Sequence, residues 1–403
     1  MTRMSHVSKP EFIAGMGMMM ALVAFSIDSV LPGMGTIGLA LSPQDPSAAR
    51  WVVTSFVLGL GLGTLVTGAL SDAFGRRPVM FGGAVVYVVG AAAAALSSSL
   101  EMLLLSRALM GLGAAGPRVV TMAVIRDLYS GRSMAQLLSL VNLVFTLVPA
   151  IAPSIGALII AFYGWRGVFV ACVVFVAAIS IWFGLRQPET LAPEHRRPLQ
   201  VSRFSSAVVE LVSNMTVVRA TLTQMLVFGM LFTMLSTAQL IFDGMFGQGD
   251  TFHFWFGGMA VVSSSASVIN AKLVVRLGMR AMIRAVLIAQ VALSLVMVLS
   301  MAGFDNGPLL FSVFVIWTTS QFFMAGMTMG NLNALALEPM GHIAGMAASV
   351  ISSVATVGAV AIAGVIGAFF DGTPLYLAVG TMICALLGLA LMHGVRRFSP
   401  DES

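Results

Sequence analysis

The sequence predicts an all-α membrane protein of twelve membrane-spanning helices in two halves of six. Three observations predict it. Apolar residues make up 58% of the 403 and charged residues only 9%, where a soluble domain carries roughly 25%. Apolar runs of crossing length recur from one end of the chain to the other. Basic residues gather in alternate connections. A water-soluble chain of this length must cover its surface with polar groups, and a mean hydropathy of +0.98 leaves too few of them. Soluble enzymes, nucleic-acid binders and disulfide-stapled secreted domains are excluded on that ground. Cys172 and Cys384 each sit inside an apolar run, which rules out a disulfide framework or a cysteine metal site.

A crossing helix needs about 20 mostly apolar residues. That ruler places spans at 11–34, 51–71, 78–98, 102–125, 134–161, 164–185, 216–242, 253–275, 281–302, 308–333, 342–369 and 375–395. The first has no small-residue cleavage site behind it and reads as a retained span. It holds Met16, Met18, Met19 and Met20, and Pro32 with Gly33 interrupts its end. Spans 2 and 3 are divided by a charged turn, span 4 contains Pro117, and span 5 contains Pro149 and Pro153. Glycines interrupt spans 10 and 11. The one long connection carries Pro188, Glu189, Pro193 and Glu194, then Arg196 and Arg197, and reads as a solvated linker. It divides the chain into an amino-terminal bundle, 1–186, a cytoplasmic linker, 187–215, and a carboxy-terminal bundle, 216–403.

Lys and Arg accumulate in cytoplasmic loops. With a cytoplasmic N-terminus, inside segments hold 17 of the 21 basic residues and outside loops only Arg50 and Arg166. The outside connections after spans 7, 9 and 11 carry acids alone: Asp243, Asp250, Asp305 and Asp371. Both termini are therefore expected inside, and the net charge of +5 reads as topology rather than as a nucleic-acid footprint.

Ionisable groups within spans are costly, so each is a functional candidate. Three stand out: Asp28, Arg107 and Arg118. Asp28 lies six residues beyond the centre of span 1, or about 9 Å toward the outer face. Span 4 runs the opposite way, so Arg107 reaches a similar depth and can meet Asp28 if the helices are neighbours. A dry cavity favours the neutral carboxyl and a nearby arginine favours the charged one. A group balanced between them can take up and release a proton. The structural alternatives are that Asp28 caps loosened backbone at Pro32, and that Arg107 and Arg118 bond freed carbonyls, as near Pro117. Asn142, Gln224, Gln321 and Met20 are further cavity candidates, the amides for hydrogen bonding and the flexible thioether for apolar cargo.

Gly68 to Pro78 reads GALSDAFGRRP, which resembles the G-x-L-x-D-x-x-G-R-R signature of the major facilitator superfamily. Gly68, Leu70, Asp72, Gly75, Arg76 and Arg77 fill it without a gap. Asp72 and the two arginines are expected to form a charge cluster at the inner face, which Arg126 and Asp127 can join as a latch. A worn copy, NAKLVVRLGMR at Asn270 to Arg280, has Val275 where the aspartate belongs. It suggests two parallel six-span repeats. SIDSVLPG (Ser26 to Gly33) and SRALMGLGAAGPRVVTMAVIRD (Ser106 to Asp127) resemble first- and fourth-span elements of drug–proton antiporters of the Bcr/CflA type. In that group the aspartate maps onto Asp28 and the intramembrane arginine onto Arg107. PAIAPSIGA, with Pro149, Pro153 and Gly156, resembles the fifth-span antiporter motif with two of its glycines replaced by alanine.

The resemblance implies two pseudo-symmetric six-helix bundles around a central cavity, in a bacterial inner membrane. It implies a monomer that exports small amphipathic or apolar compounds by alternating access, with the proton gradient as energy source and no cofactor. Its partners are then a small-molecule substrate, protons and the lipid bilayer, with no nucleic acid. One alternative on the same fold is transport of a specific metabolite, such as an organic anion held by Arg107 and Arg118. A membrane-embedded enzyme is a remote second, because it would need clustered nucleophile, acid–base or metal residues in a span, while no histidine lies deep in one and no carboxylate pair exists there.

Overall fold

The computed structural model describes residues 7–196 and 201–394, with the side chains of residues 132, 135, 139, 142, 143, 146 and 201–204 outside the description. Among the described residues every regular element is helical. The long helices are α1 Lys9–Asp28, α2 Met34–Leu41, α3 Trp51–Phe74, α4 Arg76–Ala95, α5 Leu100–Leu128 and α6 Gly131–Arg186. They continue as α7 Val201–Ser213, α8 Met215–Gly244, α9 Phe252–Leu277, α10 Met279–Gly303, α11 Pro308–Leu337, α12 Ala344–Ala368 and α13 Leu375–His393.

Among the described residues, ten stretches of these helices are long and apolar enough to cross a membrane. Two are double. Pro308–Ala368 runs 61 residues and Leu147–Arg186 runs 40, while one crossing takes about 20. In α6 the division falls at Gly164, whose φ of 68° is left-handed and turns the chain between spans 5 and 6. Between α11 and α12 a short 3-10 turn, Glu338–Ile343, does the same. Counting each double stretch as two gives the twelve crossings expected. The glycines of spans 10 and 11 do not break α11 or α12, since neighbouring helices support the backbone.

The linker departs from expectation. Its second part is not solvated coil but the amphipathic helix α7, which buries Ala207 and Leu211. Short apolar spacing inside a polar stretch concealed it.

The chain separates into two compact units. Unit 1 comprises Met1–Leu199 with Leu235–Val261, and unit 2 comprises Gln200–Met234 with Val262–Ser403. In unit 1, α5 packs against both α3 and α4, and α1 packs along α6. Without a water-driven force between spans, tight association depends on small residues that let backbones touch. A Cβ on Gly59 of α3 would fall 1.8 Å from the Ala108 carbonyl oxygen of α5, and one on Gly111 of α5 would fall 1.9 Å from the Phe56 carbonyl oxygen. Phe56, Tyr87, Phe169 and Phe183 fill the interior around these contacts.

In unit 2, α10 packs against α11 and α13. Ser294 accepts from Trp317 Nε1 at 3.1 Å and from Gln290 Nε2 at 3.4 Å, while Ser320 donates to Gln290 Oε1 at 3.2 Å. The end of α13 is held by two arginines, Arg219 donating to the Gly394 carbonyl and Arg284 to the Met392 carbonyl at 2.7 Å. Cations here satisfy carbonyls that lack intrahelical donors and complement the helix dipole.

The glycine contacts make a paired prediction. Gly59→Ala should lower the thermal midpoint of the purified protein, because overpacking at a backbone contact costs about 1–3 kcal/mol or more. Gly82→Ala, where a Cβ meets nothing within 4 Å, should leave it unchanged or raise it slightly. Equal effects at both positions would remove the close-approach account.

Candidate functional site

α1 ends at Asp28 because Pro32, four residues on, has no N–H to offer the Asp28 carbonyl. The chain passes through the 3-10 turn Leu31–Gly33 and resumes as α2. Ser29, not Asp28, serves the helix end: its hydroxyl donates to the Phe25 carbonyl at 2.5 Å. Asp28 is 4% exposed, and among the described residues it makes no hydrogen bond and no ion pair. The capping role is filled by its neighbour. Gly156 seats α6 beside this turn, since a Cβ there would fall 2.0 Å from the Ser29 carbonyl oxygen. Pro153, buried, and Pro149, half-buried, precede it on the same helix.

Arg107 does not pair with Asp28. It is fully buried; Nε donates to the Val52 carbonyl at 3.1 Å and Nη1 approaches the Met110 sulfur at 3.9 Å. The guanidinium carbon lies 4.5 Å from the Phe56 ring centroid and 5.9 Å from that of Phe169, so two aromatic faces compensate part of its charge. Nη2 has no partner. The expected ion pair gives way to a carbonyl and two rings because α3 stands closer to Arg107 than the end of α1 does. Arg118 follows eleven residues later on the same face of α5, three helical turns away. It is half-buried and has no hydrogen bond or ion pair among the described residues.

The charged turn between α3 and α4 is a built cluster. Gly75 takes a φ of 105°, and a Cβ on it would fall 2.8 Å from Glu189 Oε2. Arg76, 3% exposed, sits at the centre. Its Nη1 donates to Asp72 Oδ1 at 2.6 Å and to Ser71 Oγ at 2.9 Å. Its Nε and Nη2 grip Asp127 at 2.8 and 3.2 Å, a bidentate pairing that fixes the fork. Arg77 stays out of this pairing and donates instead to the Gln187 carbonyl and, at 3.0 Å, to the Gly184 carbonyl. Arg126 is exposed and makes no ion pair among the described residues, where only Asp127 of that dipeptide joins. Gly68 is half-buried in α3, two turns back from Gly75.

Sequence spacing places Glu189 in the solvated linker, whereas the structure brings it to the start of α4. Its two oxygens accept the first backbone N–H groups of α4, Arg76 N at 2.9 Å and Arg77 N at 3.0 Å. A carboxylate there satisfies donors that lack helical partners and meets the positive end of the dipole. Thr190 adds a hydrogen bond to Asp127 Oδ2 at 2.9 Å. The chain past α6 is thus tied to the cluster, through a contact 113 residues distant in sequence that no local pattern signals.

In unit 2, Gln224 and Gln321 are buried at 5% and 1% exposed, each with an unpartnered Oε1; Gln321 Nε2 reaches Thr381 Oγ1 at 3.5 Å. Met20 of unit 1 is half-buried, and the Asn142 side chain lies outside the described residues. At the worn motif copy, Asn270 faces Asn331, whose Nδ2 donates to Asn270 Oδ1 at 2.7 Å and to the Met327 carbonyl at 2.9 Å. With Gly278 set on Gly75, the positions of Asp72 and Arg76 fall on the apolar Val275 and Met279, and the amide pair lies more than a turn earlier in α9.

The profile described as Major Facilitator Superfamily matches residues 12–363. The chain is 29% identical over 350 residues to a bicyclomycin resistance protein homolog of Haemophilus influenzae, covering 85% of each. It is 30% identical over 228 residues to Multidrug resistance protein MdtL of Salmonella heidelberg, covering 56% of each. Among solved structures it is similar to a D-xylose-proton symporter, with a TM-score of 0.75 over 96% of this chain and 99% of that one at 13% identity. The last likeness bears on fold alone.

Arg76→Ala should cost about 3 kcal/mol or more of stability, because Asp127 then keeps a partly buried charge without its partner. Arg126→Ala should change stability by less than about 0.5 kcal/mol. Denaturant titration of the two purified variants checks the contrast, and a stable Arg76→Ala would remove the cluster's central role.

Proposed function

Because the chain belongs to the major facilitator superfamily, we propose that it is a proton-coupled exporter of small amphipathic or apolar compounds. Its bundles, 1–186 and 216–403, open a central cavity to each face in turn. Both termini and the 187–215 connection face the cytoplasm, and the monomer draws on the proton gradient with no other cofactor. The relatives support export: one is named for bicyclomycin resistance and another for multidrug resistance. The scarcity of charge in the spans fits apolar cargo, with Met20 of unit 1 and the buried Gln224 and Gln321 of unit 2 as candidates to meet it.

The observation that carries the proton coupling is Asp28. A buried carboxyl that neither caps a helix nor pairs with a cation bears its desolvation cost unaided. Protonation or a cationic cargo removes that cost, so the two compete for one group. Proton entry from outside releases cargo, and proton loss to the cytoplasm readies the site again. The Arg76 cluster, with Asp72, Asp127 and Glu189, holds the cytoplasmic ends of spans 2, 3 and 4 as one block and acts as the inner latch. Gly156 keeps span 5 against the Asp28 turn so that the proton cannot leak past it. A second reading, transport of an organic anion, rests on Arg118, a half-buried cation with no hydrogen bond or ion pair among the described residues.

Asp28→Asn should abolish gradient-driven efflux while leaving folding intact. The measurement is efflux of cationic dyes and of organic anions from energised vesicles, with and without a proton uncoupler. Normal uphill transport by the variant ends the single-carboxylate scheme, and preference for anions moves the assignment to the second reading.

A further inference from the structure

Four residues of α8 recur at helical spacing along one side of it: Thr221, Gln224, Phe228 and Phe232. Thr221 is 8% exposed, Gln224 5% and Phe232 8%, and Phe228 is half-buried. All four belong to unit 2, and the neighbours of α8 within that unit lie on its other sides. α12 takes the side of Met225 and Gly229. There a Cβ on Gly358 would strike the Met225 sulfur, and one on Gly229 would fall 2.6 Å from Ile362 Cγ2. α11 and α13 take the opposite side, where Thr318 Oγ1 lies 3.9 Å from the Met234 sulfur and a Cβ on Gly388 would fall 3.6 Å from Thr223 Cγ2. At about 100° per residue the four fall on the arc between these contacts, turned from the core of their own bundle. Their low exposure separates them from side chains that face lipid.

Two polar atoms on this stripe stand apart. A helical threonine commonly donates to the carbonyl one turn back, and α8 does so through Thr223 to Arg219 at 2.8 Å and through Thr233 to Gly229 at 2.7 Å. Thr221 Oγ1 is buried without a hydrogen bond among the described residues, and so is Gln224 Oε1, one turn further on. A buried oxygen left without a partner costs stability that the polar hydrogen of a bound molecule returns. Beside them the Phe228 and Phe232 rings lie parallel, at an interplanar angle of 6° with centroids 5.5 Å apart. Such rings offer apolar faces and edges against which another flat ring packs. The stripe thus joins an aromatic platform to two hydrogen-bonding oxygens at one end, and it carries no charge.

We propose that this stripe of α8 is a cargo subsite for planar aromatic amines. The ring of the cargo lies against Phe228 and Phe232, and its amino groups donate to Gln224 Oε1 and Thr221 Oγ1. The proposal rests on the export reading and names a cargo class within it. Asp28 supplies the energy coupling, whereas these four residues select the compound that is held.

The test is fluorescence titration of two acridine dyes against the purified full-length protein. Proflavine carries primary amino groups, while in acridine orange the same two nitrogens are dimethylated and have no hydrogen to donate. Gln224→Leu and Thr221→Val should each weaken proflavine binding by about 3- to 10-fold, the range of one neutral hydrogen bond. Neither should change the binding of acridine orange. Phe228→Leu should weaken both dyes by about 2- to 10-fold, and Phe228→Tyr should restore them. Equal effects of Gln224→Leu and Thr221→Val on the two dyes, no effect on either, or a wild type that binds neither dye would overturn the proposal. If Gln224→Leu does not fold, the nearly isosteric Thr221→Val decides by the same criterion. Efflux from energised vesicles separates the two levels of the argument. Uphill proflavine efflux that Gln224→Leu and Thr221→Val leave unaltered defeats the subsite alone. Selective binding with no uphill efflux of either dye by the wild type defeats the export reading, and the site remains.

Discussion

Removing a charge from water costs several kcal/mol unless protein groups replace the solvent. The charges of this chain differ in how they meet that cost. Arg76 meets it fully, with Asp72, Asp127 and Ser71 arranged around one guanidinium. Arg107 meets it in part, through a carbonyl and two aromatic faces. Among the described residues Asp28 has no partner to share it with. Satisfaction produces structure, and its absence produces a group whose state can change.

The two units solve one packing problem differently. In unit 1 the turn between α3 and α4 is closed by ions, helped by Glu189 and Thr190 from beyond α6. In unit 2, Val275 and Met279 stand where Asp72 and Arg76 would, and more than a turn earlier Asn270 pairs with Asn331 as neutral amides. An ion cluster is strong when complete and costly when any member leaves, so it suits a contact that is made and broken as a whole. An amide pair is weaker and less sensitive to its surroundings, which suits helices that stay together. The loss of the aspartate at Val275 is what the worn motif contributes to this asymmetry.

Close backbone contact supports both arrangements. Gly59 and Gly111 bring α3 and α5 together, and Gly113 seats Tyr87. Gly156 reaches the residue beside Asp28. Each acts by lacking a side chain, so the polar groups are placed by what the neighbouring glycines permit.

What the sequence determined by itself was whatever depends on local composition and spacing. Apolar length set the crossings, and the unbroken run from Gly68 to Arg77 announced its turn, because Asp72 and Arg76 stand one helical turn apart. Asp28, Arg107 and Arg118 were visible simply because charge is rare in the spans. Tertiary structure alone decided their partners. Glu189 reads as linker until the fold returns it to the start of α4, and Tyr87 reads as core until Ser26 meets it. Arg107 and Asp28 looked like a pair by depth along their helices, but depth does not state which neighbour stands closest. Pairing across helices depends on rotation and separation, which side-chain packing sets and one-dimensional spacing does not contain.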